Sequence, residues 1–289
     1  ANNRADLVYP MKCIQIGTAY RAEKPQRGRY REFIQCDIDI IGVESFWAEV
    51  ELIITTATVL MSIGIGDFRI RINDRRMLQQ LLLKFGFSEP QVPSVCIIFD
   101  KMDKIGIDGI ERELSTKLFD PSACSRLIEY VKNEDFSITE YIRLIGASEY
   151  TQNTEKIIQA VNQLSNGLYR CEFDISLVRG QGYYTGAVFE IESLAYSGSL
   201  AGGGRYDNLI GKFLNEPIPA VGFSIGFERI FDLLLEQNFK IPDSKKKVAL
   251  LFENDYSTAY RFACNLRKEY DVSILERPKK IRKLLDRLQ

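Results

Sequence analysis

The stretch from Tyr20 to Gly42, YRAEKPQRGRYREFIQCDIDIIG, gathers side chains able to hold an anion that carries a flat ring. Arg21, Lys24, Arg27 and Arg29 place positive charge at or near a connection marked by Pro25 and Gly28. From Arg31 the residues alternate as in a strand. Phe33, Gln35, Asp37 and Asp39 share one face; Ile34, Cys36, Ile38 and Ile40 share the other. The aliphatic face is an ordinary core face. The opposite one collects a ring, an amide and two carboxylates where a surface strand gains little from them. Guanidinium forks grip phosphate bidentately and Phe33 can stack on a base, so the pattern suits a nucleotide. By itself the stretch also reads as an edge hairpin with a solvated, charged loop.

Three later clusters share the theme. LVRGQGYYTGAVFE sets Arg179 and the pair Tyr183–Tyr184 in a strand-like run from Leu177 to Glu190, with Gly180, Gly182 and Gly186 marking a tight turn or a ligand's close approach. Buried tyrosines with satisfied hydroxyls are the plainer account of that pair. In GSLAGGGRYDNLIGKF, Gly202 to Gly204 leave bare backbone against which a flat ligand can lie. AVGFSIGFERI leads into a helix with Arg229 near its start, where a cation is disfavoured unless an anion is also held there.

The inventory excludes other chemistries. With no histidine in 289 residues, serine–histidine and cysteine–histidine catalysis and histidine zinc sites are out. The six cysteines lie scattered without CxxC pairs, as expected for thiols in a reducing cytosol rather than disulfides or a metal site. DKMDKIGIDG lacks EF-hand ligand spacing, and no metal site is expected. A net charge of −1 excludes a generally basic nucleic-acid coat, and no run approaches a membrane helix.

Positioning these residues requires an α+β arrangement. The hairpin is followed by a helix over Ser45 to Ser62, a strand over Asp67 to Ile72, and a helix from Met77 to Phe85 capped by Asn73 or Asp74. Between Ser88 and Leu164 successive amphipathic helices interrupt the sheet pattern. Strands return at Tyr169 to Ile175 and at Leu177 to Glu190. After Pro242 the order is β–α–β–α, ending in the basic helix PKKIRKLLDRLQ. The start lacks a Met and the C-terminal stretch is too short to close an α/β domain, so both ends read as cut short.

Taken together, the motifs resemble class II aminoacyl-tRNA synthetases, specifically the histidyl-tRNA synthetase family. YRAEKPQRGRYREFIQCDIDIIG resembles its motif 2, LVRGQGYYTGAVFE its histidine signature, and AGGGRYDNLIGKF with AVGFSIGFERI its motif 3. The resemblance implies an antiparallel sheet flanked by helices. Catalytic segments at 1–87 and 166–240 would be separated by a helical insertion at 88–165, with a partial anticodon-binding domain at 245–289. It implies ATP with Mg2+, L-histidine and the histidine tRNA as ligands, a cytoplasmic homodimer, and no membrane. Arg21 would hold the α-phosphate and the histidine carboxylate. Glu23 and Arg29 would lie near the ATP, Phe33 would stack on adenine, and Arg229 would clamp the distal phosphates. Gln35, Asp39, Tyr183, Tyr184 and Gly203 would bind histidine, and Arg179 would stabilise charge on the α-phosphate. Asp39 stands where many members have glutamate, and Gly182 replaces a residue that is often acidic. The alternative is a catalytically inactive paralogue that senses histidine or tRNA. Lys279, Lys280, Arg282 and Lys283 could face tRNA or form a solvated helix face.

Overall fold

A computed structural model describes residues 8–22, 30–132, 137–178, 183–195, 198–214, 217–239, 245–279 and 281–282, the side chain of Asp103 excepted. The chain divides into two compact units, residues 1–233 and 234–289.

The first unit is built on a seven-stranded sheet. Strands β1 (Met11–Tyr20) and β2 (Glu32–Ile41) form the expected antiparallel hairpin, with Gly17 opposite Gln35 and Cys13 opposite Asp39. Helix α1 (Trp47–Ser62) leads to β3 (Phe68–Asp74). Asp74 caps α2 (Arg75–Phe85) by accepting from the Arg76 amide, and Gly86 closes it with φ 103°. Helices α3 (Val92–Phe99), α4 (Met102–Ser115), α5 (Pro121–Lys132), α6 (Ile138–Ile145) and α7 (Glu149–Leu164) follow. The apolar stripes of α3 to α6 converge with that of α2 on one core containing Leu81, Phe99, Ile110, Leu127 and Tyr141.

The chain re-enters the sheet as β4 (Arg170–Phe173), β5 (Ala187–Ser193) and β6 (Ser199–Arg205). After α8 (Asp207–Leu214) it adds β7 (Ala220–Gly226), which runs into α9 (Phe227–Glu236). The strand order is β1-β2-β7-β6-β5-β3-β4, and among the described pairings of this sheet only β3 and β4 run parallel. The strand expected over Leu177 to Glu190 is shorter than its β-prone composition suggested. Leu177 and Val178 are irregular and regular pairing begins at Ala187. Asn73 accounts for part of this, donating to the carbonyls of Ile175 and Leu177 (3.1 Å each) and so holding that segment across the end of β3.

Cα partners in adjacent strands share a face, so the register divides the sheet. One face carries Gln35, Asp37 and Asp39, then Ser224 and Gly222, Gly202 and Gly204, Glu190 and Val188, and Arg71 and Asn73. The other carries Ile38, Phe223, Ala201, Phe189 and Ile70, with α1 lying against β2, β6 and β7, and α7 against β3 and β4. Burying the apolar face supplies the hydrophobic stabilisation and leaves the polar face available.

In the second unit β8 (Lys246–Phe252) and β9 (Tyr270–Glu276) pair in parallel, joined by α10 (Tyr256–Leu266), whose cap is Asp255. Of the expected last helix, Pro278, Lys279, Ile281 and Arg282 are described; Pro278 and Lys279 are not helical, and Ile281 and Arg282 are.

Candidate active site

At the β1–β2 end of the polar face the Arg21 guanidinium lies 4.5 Å from the Phe33 ring centroid. Its Nη2 reaches Gln35 Oε1 at 3.5 Å. Gln35 Nε2 donates to Asp37 Oδ1 (3.0 Å) and to Ser224 Oγ (2.7 Å), so the amide is oriented from three sides. Arg21, Phe33 and Gln35 are therefore one contiguous group, with Phe33 and Gln35 on one face of β2 as the alternation required.

Four residues beyond Gln35 on β2, Asp39 accepts a 2.5 Å hydrogen bond from the Tyr206 hydroxyl. Burial raises the Asp39 carboxyl above the usual carboxylate range; the Tyr206 bond pulls it down and the nearby Asp37 charge pushes it up. Burial, together with the Asp39 bond and charge, drives the Tyr206 phenol well above its ordinary value, so it remains a donor at any physiological pH. The Tyr183 ring stands edge-on to Tyr206 with centroids 6.0 Å apart, and its centroid is 4.6 Å from that of Tyr184. Tyr184 is buried with Leu177 and Val188, while Tyr183 remains the more open ring. The two expected tyrosines thus differ: Tyr184 forms a packed wall and Tyr183 a rim.

The glycines have separate tasks. A side chain on Gly204 would press on the Tyr184 ring, 2.9 Å from its Cδ1, and one on Gly222 would overlap the Asp39 carboxylate. Gly203 points the other way, where a Cβ would sit 2.8 Å from Phe189 Cε2 and 2.9 Å from Phe223 Cα. The expectation that Gly203 bares the backbone towards histidine is corrected on this point. Its bareness admits the Phe189–Phe223 aromatic pair of the core, and Gly202 and Gly204 hold the site side.

Tyr206, Ser224 and Glu228 are site residues that motif reading did not single out for a role. Tyr206 carried a signal, since Gly202, Gly204 and residue 206 share a parity. Glu228 accepts from the Ile34 amide (2.5 Å) and fastens the start of α9 beside Phe33. Arg229, next in sequence, donates through Nη1 to the Ser199 carbonyl. An anion is thus not required to account for a guanidinium at that helix start. Glu23, Arg29 and Arg179, with Gly182, lie outside the described residues.

Behind the site Arg205 binds Glu49 bidentately, Nε and Nη2 each 2.6 Å from a carboxylate oxygen. It also donates to the Val43 carbonyl (2.9 Å) and to Asp207 (3.2 Å). Asp207 in turn accepts from the Ala220 amide. One buried pair therefore joins α1, the end of β2, β6 and the start of β7, the elements that bring Tyr206 to Asp39. Burial raises the Glu49 carboxyl against the pull of Arg205.

Comparison with known proteins identifies the family. The family model for histidyl-tRNA synthetase matches residues 2–230. The chain belongs to the histidyl-tRNA synthetase family. It is 43% identical over 254 residues to the histidine–tRNA ligase of Leifsonia xyli, covering 84% of this chain and 59% of that protein. To that of Cytophaga hutchinsonii it is 35% identical over 296 residues, covering 98% and 65%. The chain thus spans about three fifths of the length of these curated relatives. The crystal structure of histidyl-tRNA synthetase from Nostoc sp. PCC 7120 superposes with a TM-score of 0.81 at 27% identity, over 99% of this chain and 69% of that one. An ATP phosphoribosyltransferase regulatory subunit/histidyl-tRNA synthetase from Bacillus halodurans gives 0.76 at 23% identity, which shows the shared class II fold alone.

Proposed function

We propose that the full-length protein is a histidine–tRNA ligase, which activates L-histidine with ATP and passes the histidyl group to the histidine tRNA. The observation that carries this reading is the order of groups along β2. Phe33 and Arg21 offer a base platform and an anion grip, Gln35 follows, and Asp39 with Tyr206 offers an acceptor suited to an imidazole N–H. A histidine laid along the strand would have its carboxylate at Arg21 and its ring at Asp39. The carboxylate oxygen then attacks the α-phosphorus of ATP in line, the bond to the bridging oxygen breaks, and pyrophosphate leaves. Such a step calls for positioning and charge neutralisation rather than a protein nucleophile.

Arg21 would serve in both the nucleotide and the histidine subsites. Arg179, from the family signature, would neutralise the α-phosphate, and Glu23, Arg29 and Arg229 would contact ATP. No group of three or more His, Cys, Asp or Glu able to hold a metal exists among the described residues. Mg2+ would therefore be carried chiefly on the ATP phosphates, where it supplies further charge neutralisation. The helices over 88–165 would be the family's insertion, residues 245–289 part of an anticodon-binding domain, and 1–87 with 166–240 the catalytic body. A homodimer fits the apolar Ile14 and Ile16 exposed on the outer strand β1, which a second copy would cover. Free thiols at all six cysteines suit a cytoplasmic enzyme. No helix among the described residues is long and apolar enough to cross a membrane.

The test is ATP–pyrophosphate exchange by the full-length protein with each standard amino acid, repeated with Arg179→Ala. Exchange with histidine alone, lost in the variant, is expected. Histidine binding without exchange would move the protein to the sensing class.

A further inference from the structure

We infer that Asn73 is a positioning residue for the amino-acid pocket: it holds the chain at Leu177 and so sets the Tyr184 wall on which the substrate ring would rest. The inference rests on the histidine reading above and adds a residue to it. The strand register puts Asn73 in one cross-strand row with Val188, Gly204, Gly222 and Asp39, all on the polar face. At about 4.8 Å per strand Asn73 stands about 19 Å from Asp39, too far to touch a ring held there. Between them the row is floored by glycine. The Asp39 carboxylate lies over Gly222 and the Tyr184 ring over the adjoining Gly204. Tyr184 rests in turn on Val188 and Leu177, and Asn73 is the next residue of the row behind them.

A buried amide needs a reason at that place. Asn73 is 1% exposed. Its Nδ2 donates to the carbonyls of Ile175 and Leu177, and its Oδ1 accepts from the Asp74 amide at 2.8 Å. The partners themselves therefore assign its nitrogen and its oxygen. Ile175 and Leu177 are buried in an irregular segment, where no strand ladder offers their carbonyls a donor. Two residues back along β3, Arg71 fixes the start of the same segment, bonding Asp174 (2.6 Å) and Ser176 (3.1 Å). Removing the Asn73 amide leaves two buried carbonyls unpaired, and the free end of the segment must shift to reach water. Leu177 is at that end, and its movement takes away the seat of the Tyr184 ring.

Asn162 provides a matched comparison. It too ties backbone, accepting from the Cys171 amide and donating to the Cys171 carbonyl at 2.8 Å each, but from α7 on the opposite face of the sheet. Pyrophosphate-exchange KM values for histidine and ATP, with urea midpoints, are measured on the full-length protein and on Asn73→Ala, Asn73→Ser and Asn162→Ala. Loss of one aromatic wall contact predicts a histidine KM about tenfold higher in Asn73→Ala, with the ATP KM changed by less than about threefold. Asn73→Ser returns one donor and is expected to fall between. Asn162→Ala is expected to lower the urea midpoint comparably and to leave both KM values within about threefold. Where Asn73→Ala does not fold, Leu177→Ala keeps the amide bonds, removes the packing, and is expected to repeat the selective rise. An unmoved histidine KM, equal rises for histidine and ATP, or the same rise in Asn162→Ala overturns the positioning role while the histidine reading stands. If the unsubstituted protein exchanges with another amino acid or with none, the histidine reading falls and this inference falls with it.

Discussion

A single methyl group tests the pocket geometry. Gly222 and Gly226 lie on one strand and present the same face, opposite Asp39 and Gln35 respectively. Neither has the positive φ that would bar an L side chain. Their surroundings differ sharply. A Cβ at Gly226 meets only the Leu200 carbonyl, at 3.7 Å, which is ordinary contact. A Cβ at Gly222 overlaps the Asp39 carboxylate and comes within 3.2 Å of Tyr206 Cε1. Gly226→Ala should therefore be neutral or stabilising by about 0.4–1 kcal/mol through the unfolded chain. Gly222→Ala should cost about 1–3 kcal/mol of overpacking and move Asp39 off the Tyr206 hydroxyl. If Asp39 holds the imidazole, losing one hydrogen bond to a charged group raises the histidine KM about tenfold or more. The ATP KM should stay near its original value, since Phe33 and Arg21 sit at the other end of the strand. Urea midpoints and pyrophosphate-exchange kinetics on the pair of variants give both readings. An unchanged histidine KM in Gly222→Ala, or equal effects from the two substitutions, would refute the placement of Asp39.

Further outcomes follow from the same geometry. In Tyr206→Phe the hydroxyl that pulls the Asp39 carboxyl down is gone, so its pKa rises further and the acid limb of histidine binding moves to higher pH. A limb that stays put or moves lower in KM–pH profiles contradicts this. The same raised pKa means the folded state binds more protons than the unfolded chain just above the ordinary carboxylate value. Stability from this group therefore falls as pH rises through that window, and Asp39→Asn should flatten this dependence in thermal melts across acid pH. Phe33→Ala should raise the ATP KM by the stacking of one ring, about 1–3 kcal/mol, with the histidine KM little changed; equal rises in both would reject the stacking role. Glu49→Ala and Arg205→Met should each cost about 3–5 kcal/mol by urea unfolding, because either leaves a buried charge without its partner, and the double variant should cost less than their sum. Strict additivity would show that the pair does not act as a unit.

Much of the site was written in local pattern. Alternation from Arg31 to Ile40 put Phe33, Gln35, Asp37 and Asp39 on one face because a strand's side-chain period depends only on its own backbone. Asp74 could be read as a cap for similarly local reasons, and Gly202 to Gly204 as bare strand. The motif wording was enough to place the chain in its family. Long-range pairing decided the rest. Tyr206 meets Asp39 across 167 residues, and Ser224 meets Gln35 across 189, only because β7 inserts between β2 and β6. Periodicity showed that Gly203 differs in facing from its neighbours but not which face is the core. That followed from where Phe189 and Phe223 pack. Glu49 read as one polar residue of a helix, and it is 2% exposed because Arg205 from β6 reaches it in the interior. Sequence fixes what each strand can present. Strand order and register, set by the burial of the apolar face as a whole, determine which groups meet.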